Sequence, residues 1–548
     1  MSTPPRIVIV GGVAGGMSAA ARLRRLDEHA EITVVERSEH VSYANCGLPY
    51  FVGGVISDRD DLLLQTPAAL KARFNLDVRV RTEAVEIDRD AKVVHVRSLD
   101  DGATAALPYD ALVLAPGARP VTPPIPGIDR ALALRTVEDA EAMRAVATDV
   151  RTAAVIGGGF IGVEMAENLA HLGLDVAVIE ATDQVMAPLD PEMVAPVHDA
   201  LRAAGVDLAL GVSVTEIGPH TVTLSDGSTR PADLVVAAIG VRPETSLAEA
   251  AGLALAERGG IIVDDQLRTS DPSIYAIGDA VVKRDALTHE PVMVPLAGPA
   301  NRQGRVVADV IAGRDTRDLP VLGTAIVGVF GLQVAASGWN EKRLRAAGRP
   351  YRAIHTHPAS HAGYYPGAEG MSLKLLVDPA TDAILGVQGV GREGVDKRID
   401  VVATAMRAGV PASDLADLEL AYAPQFSSAK DPVNMLGMLA ENLADGDVAT
   451  VQWHELDELA STATIVDVRS ADEHARGAIP GSVNLPVDQL RDRMGELPDG
   501  PLVVHCAVGM RGYIAARILS QRGRADVRNL DGGYATWAAG TAAMRVQT

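Results

Sequence analysis

The sequence has 548 residues, of which 47% are hydrophobic and 22% charged, a composition typical of a globular protein. This length is too great for a single core and predicts three or four domains of about 150 residues each. The net charge of −21 argues against nucleic acid as a partner, because phosphate binding needs clustered Lys and Arg.

The two cysteines of the chain are too few for a disulfide framework, which predicts a reducing compartment. No apolar run approaches the roughly 20 residues of a membrane span. The N-terminus leads directly into a strand pattern, without the features of a signal peptide. We therefore expect a cytoplasmic protein with neither membrane nor nucleic-acid partners, and we assign no metal site.

The first elements predict a dinucleotide-binding unit. Residues 6–10, "RIVIV", indicate a strand, and a glycine-rich turn, Gly11–Gly16, follows it. The helical pattern "SAAARLRRLDEH" comes next, and then the strand "EITVVE", which ends at Glu36. In this arrangement the glycines let the backbone approach a pyrophosphate, and the acid accepts hydrogen bonds from ribose. Val13 is a departure, because it occupies the place of the middle glycine of the motif.

The stretch "SYANCGLPY" (42–50) contains Cys46, which has no second cysteine near it. A lone thiolate beside a redox cofactor must hold something from outside, either oxygen as sulfenic acid or a substrate sulfur as a mixed disulfide. A helix beginning in "GLPYFVGG" would lower the pKa of this thiol through its oriented N–H groups. A buried, inert cysteine is the alternative.

A second and complete copy of the nucleotide motif starts at the strand "AAVIG" (153–157). Its glycines are Gly157, Gly159 and Gly162. A helix and a strand follow, and the strand ends at Glu180. Two such units predict two bound nucleotides. Glu180 precedes Ala181 and Thr182 rather than arginines, which favours NADH over NADPH, because a carboxylate repels a 2′-phosphate.

Three later stretches complete the first two domains. "IYAIGDA" (274–280) places Asp279 directly after a strand and a glycine, where an acid can hold the ribityl chain of a flavin. "LVLAPGARP" (112–120) and "LVVAAIGVRP" (234–243) predict the strands and turns by which the chain leaves the first and second nucleotide domains. The first domain is therefore predicted to be interrupted by the second.

The last hundred residues form a unit of their own. "ATIVDVR" (463–469) and "PLVVHC" (501–506) predict strands, "EHARGAIPGSVNLP" (473–486) predicts a turn-rich connector, and "GYIAARILSQRG" (512–523) predicts an amphipathic helix. Together these stretches resemble a rhodanese domain. The loop Cys506–Arg511 should surround the sulfur with backbone N–H groups, which stabilises a thiolate and a persulfide anion. Its six-residue length suits sulfane sulfur, and Arg511 at the rim can attract an anionic donor.

Residues 6 to about 440 resemble the pyridine nucleotide-disulfide oxidoreductase family. Most members use a pair of cysteines, whereas the position five residues after Cys46 is Phe51. The chain therefore resembles the single-cysteine branch, which includes coenzyme A-disulfide reductases, NADH oxidases and NADH peroxidases. The resemblance implies an α/β protein with two Rossmann-like domains, a dimerisation domain and the rhodanese domain. The boundaries are 1–120 and 246–325 for the FAD domain, 121–245 for the NAD(H) domain, 326–440 for the dimerisation domain, 441–449 for a polar linker and 450–548 for the rhodanese domain.

Three stretches resemble the third domain of coenzyme A-disulfide reductases: "HAGYYPGA" (361–368), "GREGVDKRIDV" (391–401) and "AYAPQFSSAKDPVNM" (421–435). The resemblance implies a homodimer in which Tyr364 and Tyr422 reach the cysteine of the other subunit. A phenol there can hydrogen-bond or protonate a departing thiolate. Tyr365 is an adjacent candidate that spacing does not exclude.

The resemblance also implies cofactor and substrate residues. The catalytic candidates are Cys46, Cys506, Tyr364, Tyr422 and Arg511. The candidates for FAD are Gly11, Gly12, Ala14, Gly15, Glu36, Arg37, Asn45, Val85, Ala115, Gly117, Gly278, Asp279, Pro295, Leu296 and Ala297. The candidates for NADH are Gly157, Gly159, Phe160, Gly162, Glu164, Glu180 and Gly240. The candidates for coenzyme A are Ser18, Arg22, Arg25, Ser42, Asn45, Arg73 and Lys430.

The favoured hypothesis is an FAD-dependent NADH oxidoreductase that reduces coenzyme A persulfide, polysulfide or disulfide through a Cys46–S–S–CoA mixed disulfide. The rhodanese domain would handle sulfane sulfur at Cys506, and its fusion ranks persulfide above plain disulfide as substrate. One alternative is an NADH oxidase or peroxidase in which Cys46 cycles as sulfenic acid. Another is a sulfur carrier or redox sensor.

Overall fold

A computed structural model of the protein describes residues 4–257 and 259–545. The chain divides into two compact units. The first contains the residues up to Ile179 together with Val212–Gly323, and the second contains Glu180–Gly211 together with the residues from Thr324 onward. This division cuts across the predicted domain boundaries, which stay predictions.

In the residues that the structure describes, the N-terminal part of the chain contains ten strands and five α-helices. Its elements are β1 (Arg6–Val10), α1 (Ala14–Leu26), β2 (Glu31–Val35), α2 (Leu48–Val52), α3 (Pro67–Phe74), β3 (Asp77–Arg79), β4 (Thr82–Asp88), β5 (Val93–Ser98), β6 (Thr104–Pro108), β7 (Ala111–Leu114), β8 (Ala118–Pro120), α4 (Val137–Ala147), β9 (Thr152–Ile156), α5 (Phe160–His171) and β10 (Asp175–Glu180). The helix predicted from Ser18 to His29 is misplaced: α1 begins earlier and ends at Leu26. Asp27 is extended, and its carboxylate accepts a hydrogen bond from the His29 N–H instead.

The middle of the chain contributes elements to both compact units. Its elements are α6 (Pro191–Ala203), β11 (Asp207–Leu210), β12 (Val214–Ile217), β13 (Thr221–Leu224), β14 (Thr229–Pro231), β15 (Leu234–Ala237), β16 (Val241–Pro243), α7 (Ser246–Ala250), β17 (Ile274–Ala276), β18 (Lys283–Arg284), β19 (Pro291–Val292) and α8 (Ala297–Ile311).

The first unit contains a five-stranded parallel sheet in the order β17-β7-β1-β2-β3. Because β1 is central, its β-branched residues are buried on both faces. Ile7 and Ile9 pack with residues of α1 and α8, such as Leu23 and Val307, and Val8 packs on the opposite face. β17 joins the sheet that β1 began, so the first nucleotide fold is completed by residues from beyond the second, as predicted.

The second nucleotide fold has the same local plan. β9 pairs in parallel with β10 on one side and with β15 on the other. In both folds the strand–turn–helix connection lies at the carboxyl ends of the strands, where open α/β sheets bind ligands.

The second unit contains an antiparallel sheet covered by two helices. Its elements are β20 (Ala325–Val329), β21 (Leu332–Gly338), α9 (Glu341–Ala346), β22 (Arg352–Thr356), β23 (Met371–Val377), β24 (Ile384–Gly391), α10 (Val395–Ala408) and α11 (Pro432–Ala444). The strand order is β20-β21-β24-β23-β22. Buried residues of α10 and α11, including Ile399 and Leu436, pack on Leu373 and Leu375 of β23.

The residues of this unit from Ala449 onward form a parallel sheet of their own. The elements are β25 (Ala449–Val451), α12 (Leu456–Leu459), β26 (Thr464–Asp467), α13 (Ala471–Arg476), β27 (Val483–Asn484), α14 (Val487–Arg493), β28 (Leu502–His505), α15 (Met510–Gln521), β29 (Val527–Leu530) and α16 (Gly533–Arg545). Their order is β25-β29-β28-β26-β27. Two sequence predictions are wrong here. Helix α11 extends to Ala444 into the predicted linker, because its apolar face continues, and residues 473–476 of the predicted connector belong to α13.

Candidate active site

The first glycine-rich turn brings several predicted residues together. Gly11 has a φ of +104°, and a Cβ at this position would lie 2.1 Å from the carbonyl oxygen of Ala115. A Cβ on Gly15 would lie 3.3 Å from the carbonyl oxygen of Ala300, on α8. Gly16, which was not among the candidates, allows no Cβ, because the carbonyl oxygen of Gly11 is 1.8 Å from that point. Its place as the last glycine of the motif could have identified it.

Glu36 lies at the end of β2, where the dinucleotide motif predicts an acid. Its Oε2 accepts a hydrogen bond from the Gly12 N–H at 2.7 Å, and its Oε1 accepts from the N–H and hydroxyl of Ser38, both at 2.9 Å. The carboxylate is therefore held against the glycine turn, at the edge where a ribose would lie. The next candidate, Arg37, is exposed.

Asp279 fits a flavin polyol. It lies in the 3-10 turn Gly278–Ala280 after β17, and its Oδ1 is buried without a hydrogen-bond donor among the described residues. Burial raises the pKa of this carboxyl, against the opposing charges of Lys283 and Arg135. A sugar hydroxyl would supply the absent donor, since buried polar atoms are normally hydrogen-bonded. The residues present therefore fit FAD.

The other FAD candidates lie in several elements. Ala297 is the first residue of α8, and Leu296 is its N-cap, directly after Pro295. A Cβ on Gly117, where φ is +73°, would lie 3.1 Å from an Arg135 nitrogen. Val85 is 41% exposed in β4, in a different sheet from β1. The assignment of these residues to FAD stays a prediction.

The second glycine-rich turn repeats this geometry with all three glycines. Gly157 has a φ of +107°, and a Cβ there would lie 2.4 Å from the carbonyl oxygen of Ala238. A Cβ on Gly162 would lie 1.9 Å from the carbonyl oxygen of Gly157, so only glycine permits this close helix–strand packing. Gly159 is the N-cap of α5, which begins at Phe160 and leaves its first N–H groups available to a phosphate.

The remaining NADH candidates follow from this turn. Glu164 lies on α5 and accepts a hydrogen bond from the Tyr50 hydroxyl at 3.1 Å. Gly240, between β15 and β16, has a φ of +109°. Glu180 accepts hydrogen bonds from the N–H and hydroxyl of Thr182 at 2.8 and 2.9 Å. A carboxylate fixed at this strand end disfavours a 2′-phosphate, in agreement with the predicted preference for NADH.

Cys46 is a free, exposed cysteine in the 3-10 turn Asn45–Gly47, which leads into α2. Its segment is tied to the first nucleotide turn, because the Ser42 N–H donates to the carbonyl oxygen of Gly12 at 2.8 Å. Ser42 has a φ of +49°, an uncommon conformation for a residue with a side chain, and such strain often marks functional sites.

The expected lowering of the Cys46 pKa is wrong for the polypeptide. Desolvation by neighbouring atoms, followed by the negative charges of Glu164 and Asp279, raises the pKa of this thiol. Helix α2 has only five residues, which gives it too small a dipole to outweigh two carboxylates.

The two predicted tyrosines do meet. The hydroxyl oxygens of Tyr364 and Tyr422 are 2.9 Å apart, and the residues are 75% and 49% exposed. This hydrogen bond is the main cause that raises the pKa of Tyr364. Tyr365 turns away and makes an edge-on contact with the ring of His361, at 5.6 Å between centroids. The geometry therefore favours Tyr364 over Tyr365 as the partner of Tyr422.

The cationic candidates for coenzyme A differ in their surroundings. Arg22 is already paired with Asp309, with 2.7 Å between Nη2 and Oδ1, and both side chains are largely buried. Arg25, Arg73 and Lys430 are exposed. Ser18 donates a hydrogen bond to Asn301. The neutralised Arg22 is thus the weakest of these candidates for binding a phosphate.

The second cysteine lies in a bowl of backbone groups. Cys506 is 1% exposed at the end of β28, and its Sγ accepts a hydrogen bond from the Gly509 N–H at 3.2 Å. Gly509 has a φ of +104°, which favours glycine. The Tyr534 N–H donates to the Cys506 carbonyl oxygen at 2.8 Å, so the first turn of α16 is hydrogen-bonded to this loop.

Arg511 differs from its predicted setting. Helix α15 begins at Met510, two residues earlier than predicted, which places Arg511 in its first turn. The guanidinium forms two hydrogen bonds with Glu473, at 2.7 and 2.8 Å. These bonds raise the pKa of Arg511, with a further contribution from Cys506. Sequence reasoning missed Glu473, since its pairing joins α13 to α15 and leaves no local pattern.

Comparisons with known proteins agree with this geometry. Residues 5–304 match the pyridine nucleotide-disulphide oxidoreductase family, residues 324–432 match its dimerisation domain, and residues 452–540 match the rhodanese-like domain. The chain therefore belongs to the pyridine nucleotide-disulphide oxidoreductase family. It is a flavoprotein enzyme of that family with a dimerisation domain and a C-terminal rhodanese domain, and the predictions of α/β fold, FAD and NADH are confirmed.

Three individual proteins are similar to this chain over most of its length. Coenzyme A disulfide reductase of Staphylococcus haemolyticus is 34% identical over 441 residues, which cover 80% of this chain and 100% of that protein. The crystal structure of reduced Bacillus anthracis CoADR-RHD has a TM-score of 0.97 and 48% identity, and the match covers 98% of each chain. The NAD-dependent persulfide reductase from A. fulgidus has a TM-score of 0.92 and 40% identity, over 97% of this chain and 100% of that one. In the described residues, no helix combines the length and apolar character needed to cross a bilayer.

Proposed function

We propose that this protein uses NADH to reduce coenzyme A persulfide, polysulfide or disulfide through a mixed disulfide between Cys46 and coenzyme A. The observation that carries the proposal is an exposed Cys46 whose segment is bonded to the FAD turn through Ser42 and Gly12. The only other cysteine of the sequence, Cys506, is buried in its own loop. The second sulfur of the redox couple must then arrive with the substrate. Similarity to a coenzyme A disulfide reductase and to a persulfide reductase supports this substrate class.

The Cys46 thiolate attacks the carbon-bound sulfur of coenzyme A persulfide. The S–S bond of the persulfide breaks, hydrosulfide leaves, and Cys46–S–S–CoA forms. The same attack on coenzyme A disulfide releases coenzyme A thiolate and gives the same mixed disulfide. FAD, when bound, supplies the two-electron chemistry that links NADH oxidation to reduction of this bond.

Two exposed phenols would hydrogen-bond and protonate the leaving sulfur. In a homodimer, Tyr364 and Tyr422 of one subunit are assigned to Cys46 of the other, as the family resemblance implies. Their mutual hydrogen bond leaves one hydroxyl proton to donate to a departing thiolate. Arg25, Arg73 and Lys430, all exposed, are assigned to the anionic part of coenzyme A.

The rhodanese domain would load sulfane sulfur. The Cys506 thiolate attacks the outer sulfur of a donor persulfide, releases the donor thiolate and becomes Cys506–S–S⁻. Coenzyme A thiolate then attacks the outer sulfur, which yields coenzyme A persulfide and regenerates Cys506. The Gly509 N–H beside the sulfur would stabilise both anionic forms.

The test compares Cys46→Ser with Cys506→Ser. With preformed coenzyme A persulfide, Cys46→Ser should lose NADH oxidation by at least about a hundredfold, whereas Cys506→Ser should retain it. With another persulfide donor and catalytic coenzyme A, both variants should be slow. Turnover of NADH with ferricyanide, which needs the flavin but no cysteine, is the control and should be unchanged in both. Retained persulfide turnover in Cys46→Ser would refute the mechanism.

The two alternatives predict different readouts. An NADH oxidase or peroxidase would consume oxygen or peroxide faster than it turns over coenzyme A persulfide. A sulfur carrier or redox sensor would show few NADH turnovers, whereas an enzyme should reach about 1–1000 per second.

A further inference from the structure

We propose that Arg398, together with Asp431, is a positioning residue. It holds the hydroxyl groups of Tyr364 and Tyr422 within hydrogen-bond distance of each other. The two tyrosines lie in separate segments, here called the first tyrosine loop (357–370) and the second tyrosine loop (418–431). The inference rests on the proposed function, in which the pair acts on the leaving sulfur.

One buried guanidinium connects the two tyrosine loops. Arg398 lies on α10 and is 2% exposed. Its Nη2 donates to the carbonyl oxygen of Ser360 in the first loop at 2.9 Å. The same nitrogen donates to the Ser427 hydroxyl at 3.3 Å and to Asp431 Oδ2 at 3.0 Å, both in the second loop. Its Nη1 donates to the Gly394 carbonyl at 3.1 Å, which fixes the guanidinium to its own helix.

The loops also bond directly beside the tyrosines. The Ala362 N–H, two residues before Tyr364, donates to the carbonyl oxygens of Ser427 and Pro424 at 3.0 and 3.3 Å. Pro424 is two residues after Tyr422. Within one subunit the side chains of Tyr364 and Tyr422 are 75% and 49% exposed, so few contacts inside the chain hold them. The bonds between the two loops place the two backbones side by side, and this placement allows the 2.9 Å separation of the hydroxyl oxygens.

Asp431 is the acidic partner of Arg398 in this buried cluster. It is 2% exposed, caps α11 by accepting from the Val433 N–H at 3.0 Å, and accepts from the Ser427 hydroxyl at 2.5 Å. Burial disfavours its charge, but hydrogen bonds from Ser427 and Val433 and the charge of Arg398 hold its pKa below the ordinary value. Lys397, whose Nζ lies 3.4 Å from Asp431 Oδ2, is a second cation beside it.

Lysine cannot replace this arginine. A planar guanidinium presents five donors in a fixed fork, whereas an ammonium is a point charge on a flexible stem. Four acceptors surround Arg398: the carbonyl oxygens of Gly394 and Ser360, the Ser427 hydroxyl and the Asp431 carboxylate. Arg398→Lys would keep the charge that Asp431 needs and lose the bridge to Ser360. It therefore tests geometry separately from charge.

The experiment uses full-length protein labelled with 3-fluorotyrosine and observed by ¹⁹F NMR. Tyr364→Phe and Tyr422→Phe assign the two resonances. The matched control is Arg407→Lys, an exposed arginine in the last turn of the same helix. We expect Arg398→Lys to shift or broaden both resonances and to leave those of Tyr513 and Tyr534 unchanged, whereas Arg407→Lys should move none.

Kinetics provides the second readout. Arg398→Lys should lower kcat with coenzyme A persulfide by at least about tenfold, with the KM for NADH and the ferricyanide reaction unchanged, because misplaced catalytic groups lose rate. In a Tyr364→Phe, Tyr422→Phe background, Arg398→Lys should cost almost nothing further, since the pair that it positions is absent.

Unmoved tyrosine resonances, or an equal loss of kcat in the Phe background, would overturn the inference. The NMR result needs no substrate, so it stands apart from a failure of the Cys46 mechanism. If Arg398→Lys does not fold, Ser427→Ala removes the hydroxyl bonds to Arg398 and Asp431 while it keeps both charged residues, and it is measured in the same way.

Discussion

The surroundings of His355 allow a prediction about how the free energy of unfolding depends on pH. The residue lies on β22 and its side chain is 1% exposed. Its Nδ1 is 2.6 Å from Asp531, which follows β29 of the rhodanese domain, and its Nε2 is 3.0 Å from Glu192. Burial and the Lys374 charge oppose the imidazolium, but Asp531 and Glu192 raise the pKa of His355 to about 9.

The pKa gives the size and direction of the effect. The ordinary value is 6.5, and each pKa unit corresponds to about 1.4 kcal/mol, so the charged ring contributes at most about 3 to 4 kcal/mol. Because the folded protein holds the proton more tightly, this stabilisation is complete below pH 6.5 and declines as the pH rises. It is lost once the pH passes the folded pKa of about 9.

The assay is urea unfolding of wild type and His355→Gln between pH 6 and pH 10. His355 lies in the second compact unit. Tryptophan fluorescence reports the unfolding of that unit, because it contains all three tryptophans of the chain, Trp339, Trp453 and Trp537. The wild-type advantage should shrink steadily between pH 6.5 and pH 9. Thr404→Ala, an exposed and non-titrating change on α10 of the same unit, is the control, and its pH curve should run parallel to that of the wild type. Parallel pH curves for wild type and His355→Gln would refute the reasoning.

Three further predictions address the cofactor and sulfur sites. Glu180→Arg should raise the ratio of kcat/KM for NADPH to that for NADH by about a hundredfold in steady-state assays, because an arginine would bind the 2′-phosphate that Glu180 repels. An unchanged ratio would remove Glu180 from the NADH site. Asp279→Leu should weaken FAD retention by at least about tenfold, measured as flavin released on dialysis, since the buried acceptor is lost. Equal retention would mean that Asp279 does not bind the ribityl chain. Gly509→Ala should destabilise the Cys506 loop by about 1 to 2 kcal/mol and lower sulfur transfer while ferricyanide turnover stays normal, because a φ of +104° is strained for a residue with a Cβ. Normal transfer would show that the loop tolerates the strain.

The local motifs of the chain could be predicted from sequence because short-range chemistry fixes them. A glycine between a strand and the helix that follows it is required wherever φ is positive and a carbonyl lies close, as at Gly11 and Gly157. The lone Cys46 before a predicted helix, and the Cys506 loop between a predicted strand and a predicted helix, could likewise be recognised in the sequence. The hydroxyl contact between Tyr364 and Tyr422 agrees with the family pattern carried by those loops.

Pairings between distant residues could not be predicted in this way. The family resemblance assigns Arg22 to coenzyme A, and nothing in the sequence around Arg22 indicates its pairing with Asp309 on α8. The pKa of Cys46 depends on Glu164 and Asp279, which only the folded chain brings near. Arg398 and Glu473 each join segments that are remote in sequence, so their roles follow from tertiary contacts alone.

The most direct test of the central claim is the mass of the Cys46 peptide after turnover. The Cys506→Ser variant is given NADH in deficit and coenzyme A persulfide in excess, then alkylated and digested without reductant. The account predicts a coenzyme A adduct on the Cys46 peptide that dithiothreitol removes. A Cys46 peptide that carries only sulfenic or sulfinic oxygen, or no modification at all, would contradict it.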